Sequence, residues 1–590
     1  MADKRSFPAK LLRKLLRRLN PFRALGRARL SLVNRRRLRH KDLDVIMLTL
    51  AGTIPATPEP RGFVQRRLFG PAPLSLWQLE TIFDQIAHDP RPKTIVLTLR
   101  GLAMPLADLQ TLRGMMLRLK ARGKRIVCYA QGYDNTAYYL ASIADEILLQ
   151  PTADFAVTGL QSEAFFLKDL LAQAGVSVDV IAISPYKSAF EQVAASAMSD
   201  ESRAQVNWLL DSRYDQLVRG MAEGRKKSPD DIRAMIDSAP CHDTQALESG
   251  FVDGLCYEDE LPTRLGVKRL VRWDEARRKL IRQPRKQAGP KRVAVLTVAG
   301  LMVPGESGGA PGDIPLPIPV PLLGEDRAGD ATVVRQVRAL LKDESIGAVV
   351  LMIDSGGGAV TAAAHMGAAL DTLATHVPLV AYMNGVAASG GYWIATSAAH
   401  IIAQPGTITG SIGVITAKPN TQTLFDKLHV TTAQFKRGAN ADLYSTNVPF
   451  SEAQRALVRD GVLYAYDLFV KRTAQKRGLS EAAVDAVAGG RVWTGEQALS
   501  HGLIDGLGDL RDALAKARAL AKLPDDAPVV FWTDDDAPAP SVIERAGQTA
   551  RAWAAGLLPA AWLGHLLTNA RAVASGQAQA LLPFWLRDGL

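Results

Sequence analysis

Short apolar runs alternate with helical stretches along the second half of the chain. Four such runs are "RVAVLTVAG" (292–300), "GAVVLMID" (347–354), "PLVAYMN" (378–384) and "HIIAQ" (400–404). Val-rich runs of about four to eight residues between helices are typical of parallel strands that are buried on both faces. A longer helical pattern covers about residues 451–476. The pattern predicts an α/β fold that binds ligands beyond the carboxyl ends of its strands.

The same pattern occurs twice, in the same order. The matching pairs are "VIMLTLAG" (45–52) with "VAVLTVAG" (293–300), "YYLASIADEILLQP" (138–151) with "YWIATSAAHIIAQP" (392–405), and "QALESGFVDGL" (245–255) with "QALSHGLIDGL" (497–507). Three collinear matches at nearly constant offsets indicate that a whole domain was duplicated. The predicted organisation is a tail (1–42), an N-terminal lobe (43–285), a C-terminal lobe (286–530) and a second tail (531–590).

Composition is that of a globular protein with several domains, with 590 residues, 47% of them apolar and 22% charged. The net charge of +12 is concentrated at one end, because residues 1–40 hold 14 Lys and Arg and one acid. The rest of the chain is nearly neutral, which argues against a nucleic-acid-binding body. Cys128, Cys241 and Cys256 have no disulfide or zinc spacing. No metal and no other cofactor is expected.

The basic tail contains "KLLRKLLRRLN" (10–20), in which leucines recur at helical spacing opposite Lys and Arg. A basic helix with an apolar stripe is suited to the surface of an anionic membrane. A solvated tail and a helix docked on a partner are the alternatives. We expect no transmembrane span, since charges interrupt every apolar run, and no signal-peptide core.

The C-terminal tail begins with the acidic, Pro-rich "TDDDAPAP" (533–540). Beyond it, Trp553, Trp562 and Trp585 lie among Leu and Ala, a pattern found in residues that anchor a protein at a membrane interface. Packing against the body or a second subunit is the alternative.

Ser389 lies in "NGVAASGGYW" (384–393), after a predicted strand and before a helical stretch. Free backbone N–H groups at such a turn favour negative charge, and Gly390 and Gly391 allow a substrate backbone to approach. A second predicted strand ends in the glycine turn of "IDSGGGAV" (353–360). Two such turns could donate two N–H groups to one developing oxyanion.

A serine nucleophile needs a base. His365, His376 and His400 are scattered without a recognisable setting, so a Ser-His-Asp triad is an open but disfavoured alternative. Lys187, in "SPYKSAFE" (184–191), follows a strand-like run in a stretch with few charges.

The repeat strengthens the case for this lysine. The second copy has Ala441 near the position equivalent to Lys187, and the first has Asn135 or Thr136 in place of Ser389. Each lobe thus retains a different half of a Ser–Lys pair. A lysine that is a base near neutral pH needs a pKa roughly three units below ~10.4, which burial can produce. We therefore expect Glu191, one helical turn on, to face away.

These residues resemble the signal peptide peptidase A (protease IV) family in its long, duplicated bacterial form, over about residues 43–525. The motifs are "YKSAFE", "IDSGGGAV", "NGVAASGGYWIAT", "TITGSIGV" and "GRVWTGEQALSHGLID". The resemblance implies tandem ClpP/crotonase-like domains and a membrane-associated serine endopeptidase. It implies Ser389 as nucleophile, Lys187 as general base, Ser411 as the residue that orients the lysine, and N–H groups of Gly357 and Gly390 as the oxyanion hole. It also implies a homo-oligomer, a tetramer, and hydrophobic peptides such as signal-peptide remnants as substrates.

Two departures from the family matter. Gly356 stands where the family usually has proline, and a basic tail stands where the long form usually has a transmembrane anchor. We therefore expect peripheral attachment to the inner membrane, with the cytoplasmic face favoured and the periplasmic face as the alternative. The Pro-rich stretch 313–326 could be a lip for apolar peptides or a surface loop. The alternative functions are a crotonase-type acyl-CoA hydratase or isomerase and a catalytically silent membrane scaffold.

Overall fold

A computed structural model describes residues 21–58, 67, 72–283, 289, 291–308, 326–533 and 579–581. Its strands are β1 (Val45–Gly52), β2 (Thr94–Leu102), β3 (Arg125–Ala130), β4 (Tyr133–Asp134), β5 (Glu146–Leu149), β6 (Asp154–Ala156), β7 (Ser177–Ala182), β8 (Cys241–His242), β9 (Gly254–Leu255), β10 (Val271–Arg272), β11 (Arg292–Ala299), β12 (Leu301–Val303), β13 (Arg327–Gly329), β14 (Ile346–Ser355), β15 (Gly357–Ala359), β16 (Leu379–Ala388), β17 (His400–Ala403), β18 (Ile408–Gly410), β19 (Ile415–Asn420), β20 (Val492–Thr494), β21 (Gly506–Leu507), β22 (Val529–Trp532) and β23 (Gln579–Leu581).

The α-helices are α1 (Pro21–Arg37), α2 (Leu76–His88), α3 (Leu106–Ala121), α4 (Asn135–Ala141), α5 (Lys168–Ala174), α6 (Glu191–Ala194), α7 (Asp200–Arg225), α8 (Pro229–Ser238), α9 (Asp243–Glu248), α10 (Leu261–Arg264), α11 (Trp273–Lys279), α12 (Asp330–Lys342), α13 (Val360–Ala374), α14 (Gly390–Ala395), α15 (Gln422–Lys427), α16 (Glu452–Arg477), α17 (Glu481–Val487), α18 (Gly495–Ser500) and α19 (Leu510–Leu520). The long helix predicted near 451–476 is α16. It begins with a capping box at Ser451 and ends at Gly478 in the left-handed conformation.

The chain forms two compact units. The first contains residues 1–104, 112–159 and 217–287, and the second contains 105–111, 160–216 and 288–590. The first unit has a parallel sheet in the order β10-β1-β2-β3-β5-β9 and a small sheet β4-β6-β8. In the second unit, parallel strands follow the equivalent path β22-β11-β14-β16-β17-β21. The two copies of the sequence repeat thus have the same order of parallel strands.

Side-chain contacts repeat as well. Arg225 forms an ion pair with Asp253, whose carboxylate accepts a hydrogen bond from the Ile147 N–H in the first unit. In the second unit, Arg477 and Asp505 form the same pair, and Asp505 accepts from the Ile401 N–H. Equivalent residues therefore make equivalent bonds, which the three sequence matches alone do not show.

The core of the second unit is built on strands that are buried on both faces, as their Val-rich runs predict. Nearly every residue of β14 and β16 is inaccessible to solvent. Helices α12, α13, α14 and α16 contribute buried residues to the same apolar cluster. This packing supports the ends of β14 and β16, where the two glycine turns begin.

A further sheet of the second unit has the order β13-β12-β15-β23-β19-β7. In it, β7 pairs antiparallel with β19 along its whole length, from Ser177 opposite Asn420 to Ala182 opposite Ile415. The first residues of β7 alternate in the way that favours a strand, with Val178 and Val180 on either side of Asp179. This pairing brings residues 160–216 into the unit that contains the second repeat. The compact units therefore divide the chain differently from the predicted lobes 43–285 and 286–530, which follow the sequence repeat.

Part of the N-terminal tail packs on the first unit. The Asn34 side chain at the end of α1 exchanges hydrogen bonds with the backbone of Arg282, and the Arg37 guanidinium donates to the Leu280 carbonyl. The leucine-rich stretch 10–20, residues 313–325 of the Pro-rich stretch and the three tryptophans of the second tail lie outside the described residues. Within the described ranges, none of the helices has the length and apolarity that crossing a membrane requires.

Candidate active site

Ser389 occupies the turn between β16 and α14, as the sequence predicts. It is the N-cap residue of α14 and has φ 54° and ψ −115°, a conformation that L-residues rarely adopt. Its N–H donates to the Gly410 carbonyl and its carbonyl accepts from the Trp393 N–H. A Cβ atom at Gly391 would lie 2.5 Å from the Ser355 carbonyl oxygen. Glycine is therefore required next to this turn.

Lys187 reaches the same place from the segment after β7. Its N–H donates to the Ser184 carbonyl, which closes a turn. The Gly489–Gly490 pair packs against this turn, and a Cβ atom at Gly490 would lie 2.6 Å from the Lys187 backbone nitrogen. Trp208 donates from Nε1 to the Val492 carbonyl on β20 and stacks on Trp493.

The two side chains meet in the second unit. The Lys187 Nζ lies 2.7 Å from the Ser389 Oγ, 2.9 Å from the Ser411 Oγ and 2.8 Å from the Ser411 carbonyl oxygen. Ser411, which follows β18, also has a positive φ of 51°. A neutral amine has two hydrogens and one lone pair. With Ser411 accepting both hydrogens, the lone pair faces the Ser389 hydroxyl.

Burial sets the protonation state of the lysine. Only 1% of Lys187 is accessible to solvent, and Ser389 and Ser411 are fully buried. Desolvation alone lowers the pKa of Lys187 well below its ordinary value of 10.5. The Glu191 carboxylate lines the same pocket but accepts a hydrogen bond from the Ser199 N–H. Desolvation is the cause of the pKa shift of Lys187, and the expectation that Glu191 faces away stays a prediction.

The two predicted oxyanion glycines lie side by side. A Cβ atom at Gly390 would be 3.2 Å from the Gly357 Cα. Gly390 is the first residue of α14, so its N–H has no acceptor inside the helix. The Gly357 N–H lies 3.2 Å from the Ser355 Oγ, which itself donates to the Gly300 carbonyl. The geometry thus places both glycines beside Ser389, with the Gly357 N–H in a long hydrogen bond.

A buried carboxyl pair beneath the glycine turns has no sequence signal. Asp354 accepts hydrogen bonds from the Asn384 amide and the Val386 N–H, which join the ends of β14 and β16. Asp108, 5% exposed, lies close enough for the charge of Asp354 to act on it. Burial and then Asp354 raise the pKa of Asp108 to about 8. Desolvation also raises the pKa of Asp354.

The histidines considered for a triad have partners elsewhere. His365 Nδ1 lies 2.8 Å from an Asp330 carboxylate oxygen, and His376 Nδ1 lies 2.9 Å from the Thr372 carbonyl. His400 Nδ1 lies 3.9 Å from Asp505. These contacts favour Lys187 over a histidine as the partner of Ser389.

A pocket of about 280 Å³ opens beside Lys187. Its aliphatic wall comes from β7, β19 and the C-terminal end of α6, and the residues are Val180, Ala182, Ala194, Ala195 and Ile415. The pocket follows from the pairing of β7 with β19. Because β7 and β19 are far apart in the chain, the local sequence pattern does not predict that they pair.

Comparison with known proteins identifies the family. The model of Peptidase family S49 matches residues 118–272 and 371–524, together more than half of the chain and one segment in each repeat. Protease 4 of Haemophilus influenzae is 28% identical over 496 residues, which are 79% of this chain and 77% of the relative. Protease 4 of Salmonella typhi is 30% identical over 508 residues, 81% of this chain and 78% of the relative.

A plant relative is also similar. The chloroplastic serine protease SPPA of Arabidopsis thaliana is 30% identical over 465 residues, 76% of this chain and 66% of the relative. The matches favour the peptidase over the acyl-CoA hydratase and the silent scaffold. The chain therefore belongs to Peptidase family S49, and it is a serine peptidase of the signal peptide peptidase A type.

Proposed function

We propose that this serine peptidase cleaves apolar peptides with a Ser–Lys dyad, in which Ser389 is the nucleophile and Lys187 the general base. The observation on which the proposal rests is the 2.7 Å separation between the Ser389 Oγ and the buried Lys187 Nζ. A base must lie within hydrogen-bonding reach of the proton that it takes. An uncharged amine meets this demand near neutral pH, because burial lowers its pKa.

The proton follows a short path. As the Ser389 Oγ attacks the peptide carbonyl, its proton passes to Lys187, which then gives it to the leaving amine. A water activated by the same amine then hydrolyses the acyl-enzyme. Ser411 is a positioning residue, since its Oγ and carbonyl oxygen both accept from the amine and keep its lone pair directed at the serine.

The oxyanion would be held by two N–H groups. Gly390 offers a first-turn N–H of α14, and the adjacent Gly357 offers a second. Both lie at turns where negative charge is favoured. For Gly357 to take part, its N–H must give up the 3.2 Å hydrogen bond to the Ser355 Oγ and donate to the oxyanion instead.

Substrate preference follows from the shape and chemistry of the pocket. Its wall of Val, Ala and Ile side chains next to Lys187 suits a small or aliphatic substrate residue. The open backbone edges of a sheet bind extended peptides by adding a strand. We infer that apolar, extended peptides, such as remnants of signal peptides, are the substrate class.

Labelling with a fluorophosphonate probe tests the dyad. We expect the probe to modify Ser389 in the wild type and in Ser500→Ala, which removes an exposed hydroxyl elsewhere. Labelling should disappear in Ser389→Ala and in Lys187→Ala, because the hydroxyl is unreactive without its base. Unchanged labelling of Lys187→Ala would refute the proposal.

Membrane association is a separate proposal, based on the leucine stripe and basic residues of stretch 10–20. Deleting residues 2–20 tests it better than a longer deletion, since Asn34 and Arg37 are bonded to the first unit. We expect the shortened protein to leave anionic vesicles while it still cleaves peptides. Undiminished vesicle binding would contradict this role.

A further inference from the structure

The pairing of β14 with β16 is interrupted by a bulge just before the nucleophile turn. Up to Met383 the two strands pair in regular register. The next paired residue of β16 is Ala387, so residues 384–386 face the single residue Asp354 of β14. A bulge re-aims the strand that contains it. Here that strand leads directly to Ser389, so the shape of the bulge affects where the nucleophile lies.

The Asp354 carboxylate fixes the shape of this bulge. Its Oδ1 accepts a hydrogen bond from the Val386 N–H at 3.1 Å, and its Oδ2 accepts one from the Asn384 side-chain amide at 3.0 Å. A Cβ atom at Gly385, the middle residue of the bulge, would lie 3.4 Å from the same Oδ1. One side chain therefore contacts the whole bulge.

These contacts connect the bulge to the candidate oxyanion hole. Ser355 follows Asp354 in the chain, and its Oγ accepts from the Gly357 N–H at 3.2 Å. The Ser355 carbonyl oxygen would lie 2.5 Å from a Cβ atom at Gly391, in the turn that contains Ser389. A shift of the bulge relative to Asp354 therefore changes the position of one glycine turn relative to the other.

A second carboxyl, that of Asp108, lies behind the bulge. It belongs to residues 105–111 of the second unit, and a Cβ atom at Gly385 would lie 3.7 Å from the Cβ of Pro105 in the same segment. Asp108 is 5% exposed, and within the described part of the chain its Oδ1 has no hydrogen-bond partner. The Asn384 amide, which donates to Asp354, also acts on the Asp108 carboxyl through hydrogen bonding.

Near neutral pH the two carboxyls carry one charge between them. The two hydrogen bonds that Asp354 accepts favour its charged form. Burial and the charge of Asp354 raise the pKa of Asp108 to about 8, so Asp108 keeps its proton. Two further titratable groups face this site, Tyr382 on β16 and Asp509 at the start of α19. One is a phenol and the other an acid, so neither offsets a second negative charge.

We propose that Asp354 is a positioning residue for the oxyanion hole and that the uncharged Asp108 carboxyl behind the bulge keeps it in place. This proposal rests on the proposed function of Ser389 and Lys187. With one charge in the pair, Asp354 fixes the bulge and the two glycine turns lie side by side. When Asp108 releases its proton to solvent, the two carboxylates repel each other. The bulge then shifts, and the oxyanion loses stabilisation that the bound substrate does not need.

The dyad and the carboxyl pair therefore limit the rate from opposite sides of the pH scale. Lys187 has to be neutral, so kcat/KM rises with pH on the acidic side. Asp108 has to be protonated, so kcat/KM falls as the pH rises through about 8. The result is a bell-shaped profile whose basic limb belongs to the pair.

The pH dependence of kcat/KM on a fluorogenic apolar peptide tests the role of Asp108. We expect the wild type to lose about tenfold between pH 7 and 9, as a group with a pKa of about 8 requires. The control Asp274→Asn, whose replaced side chain is 84% exposed, should show the same loss. Asp108→Asn cannot ionise, so its kcat/KM should stay level relative to its own value at pH 7. A basic limb that persists in Asp108→Asn overturns the proposal.

Asp354→Asn tests the positioning role itself. We expect kcat to fall by about 10–10² at a nearly unchanged KM. A peptide aldehyde forms a tetrahedral adduct with a serine nucleophile, so its affinity should fall by the same factor as kcat/KM. A merely structural role would lower the Tm and leave that affinity as in the wild type, and this result overturns the proposal. If Asp354→Asn does not fold, the profile of Asp108→Asn decides.

The outcomes also separate this proposal from the proposed function. A wild type that neither hydrolyses the peptide nor reacts with the fluorophosphonate overturns the dyad, and the positioning role with it. A wild type that is active and labelled, but whose basic limb is shared by Asp108→Asn, overturns the positioning role alone.

Discussion

The Lys187 amine lies 2.7 Å from the Ser389 hydroxyl, although the two residues are 202 positions apart and come from different copies of the sequence repeat. Both belong to the same compact unit, because β7 pairs with β19. The contact is buried, and this burial lowers the pKa of the lysine. Several measurable properties depend on this one contact.

Replacing the base should abolish most of the activity. Lys187→Met keeps a long side chain without the amine, and we expect kcat/KM to fall by about 10²–10⁴, the usual contribution of a general base. Lys124→Met is the matched control, since Lys124 is also buried but donates to the Asp89 and Pro92 carbonyls in the first unit. Steady-state kinetics on a fluorogenic peptide measure both. Equal losses in the two variants would contradict a catalytic role for Lys187.

The same substitution should change how stability depends on pH. In the unfolded chain Lys187 has an ordinary pKa near ~10.4, and in the folded protein burial lowers it. Between these two pKa values the unfolded chain binds a proton that the folded protein does not, so the stability of the wild type rises with pH. The Tm of Lys187→Met relative to the wild type should therefore be highest near neutral pH and decrease towards pH ~10. If the Tm values of Lys187→Met and the wild type differ by the same amount at every pH, the pKa of Lys187 is not lowered in the folded protein.

Ser411→Ala removes one of the two acceptors that hold the amine and leaves the carbonyl. We expect kcat/KM to fall by about 10–10², as misplacement of a reacting group does, which is less than the loss in Lys187→Met. The hydroxyl also stabilises the protonated amine, so the acidic limb of the pH–rate profile should move to lower pH. A purely structural role would lower the Tm and leave that limb in place.

Asp108 should lower stability as the pH rises. Because burial and the charge of Asp354 raise its pKa to about 8, the folded protein keeps a proton that the unfolded chain releases near ~3.9. Stability from this group is full below pH ~4 and is lost as the pH rises through about 8. Relative to Asp108→Asn, the wild type should lose Tm between pH 5 and 9.

The control for this prediction is Asp274→Asn, because Asp274 has an 84% exposed side chain in the first unit. Its Tm should follow that of the wild type at every pH. If Asp108→Asn does the same, the carboxyl pair does not affect stability in this range.

Local patterns in the sequence were sufficient for much of the fold. The Val-rich runs predicted buried parallel strands, and the repeat predicted two copies of one sheet, because each strand is specified by its own few residues. The turn at Ser389 was predicted for the same reason, since glycines follow a strand there. Local patterns were not sufficient to predict the boundaries of the compact units. Those boundaries depend on the pairing of β7 with β19, a strand far along the chain.

The candidate site was predictable where the two copies differ and where motifs resemble a family. The absence of a lysine from the other copy points to Lys187, and the resemblance of its motif to the family points to Ser411. Nothing in the local pattern of Asp108 indicates that it lies next to Asp354, since the two are neither close in sequence nor in matching motifs. The Gly357–Leu581 pairing was likewise unpredictable, because three ordinary residues form β23.

The antiparallel ladder between β7 and β19 also joins two segments that are synthesised far apart in time. During synthesis Lys187 emerges soon after β7, Ser389 emerges some 200 residues later, and β19 follows both. In the proposed dyad, a chain that has not yet made β19 lacks the strand on which β7 pairs, and the segment that carries Lys187 then has no partner in this sheet.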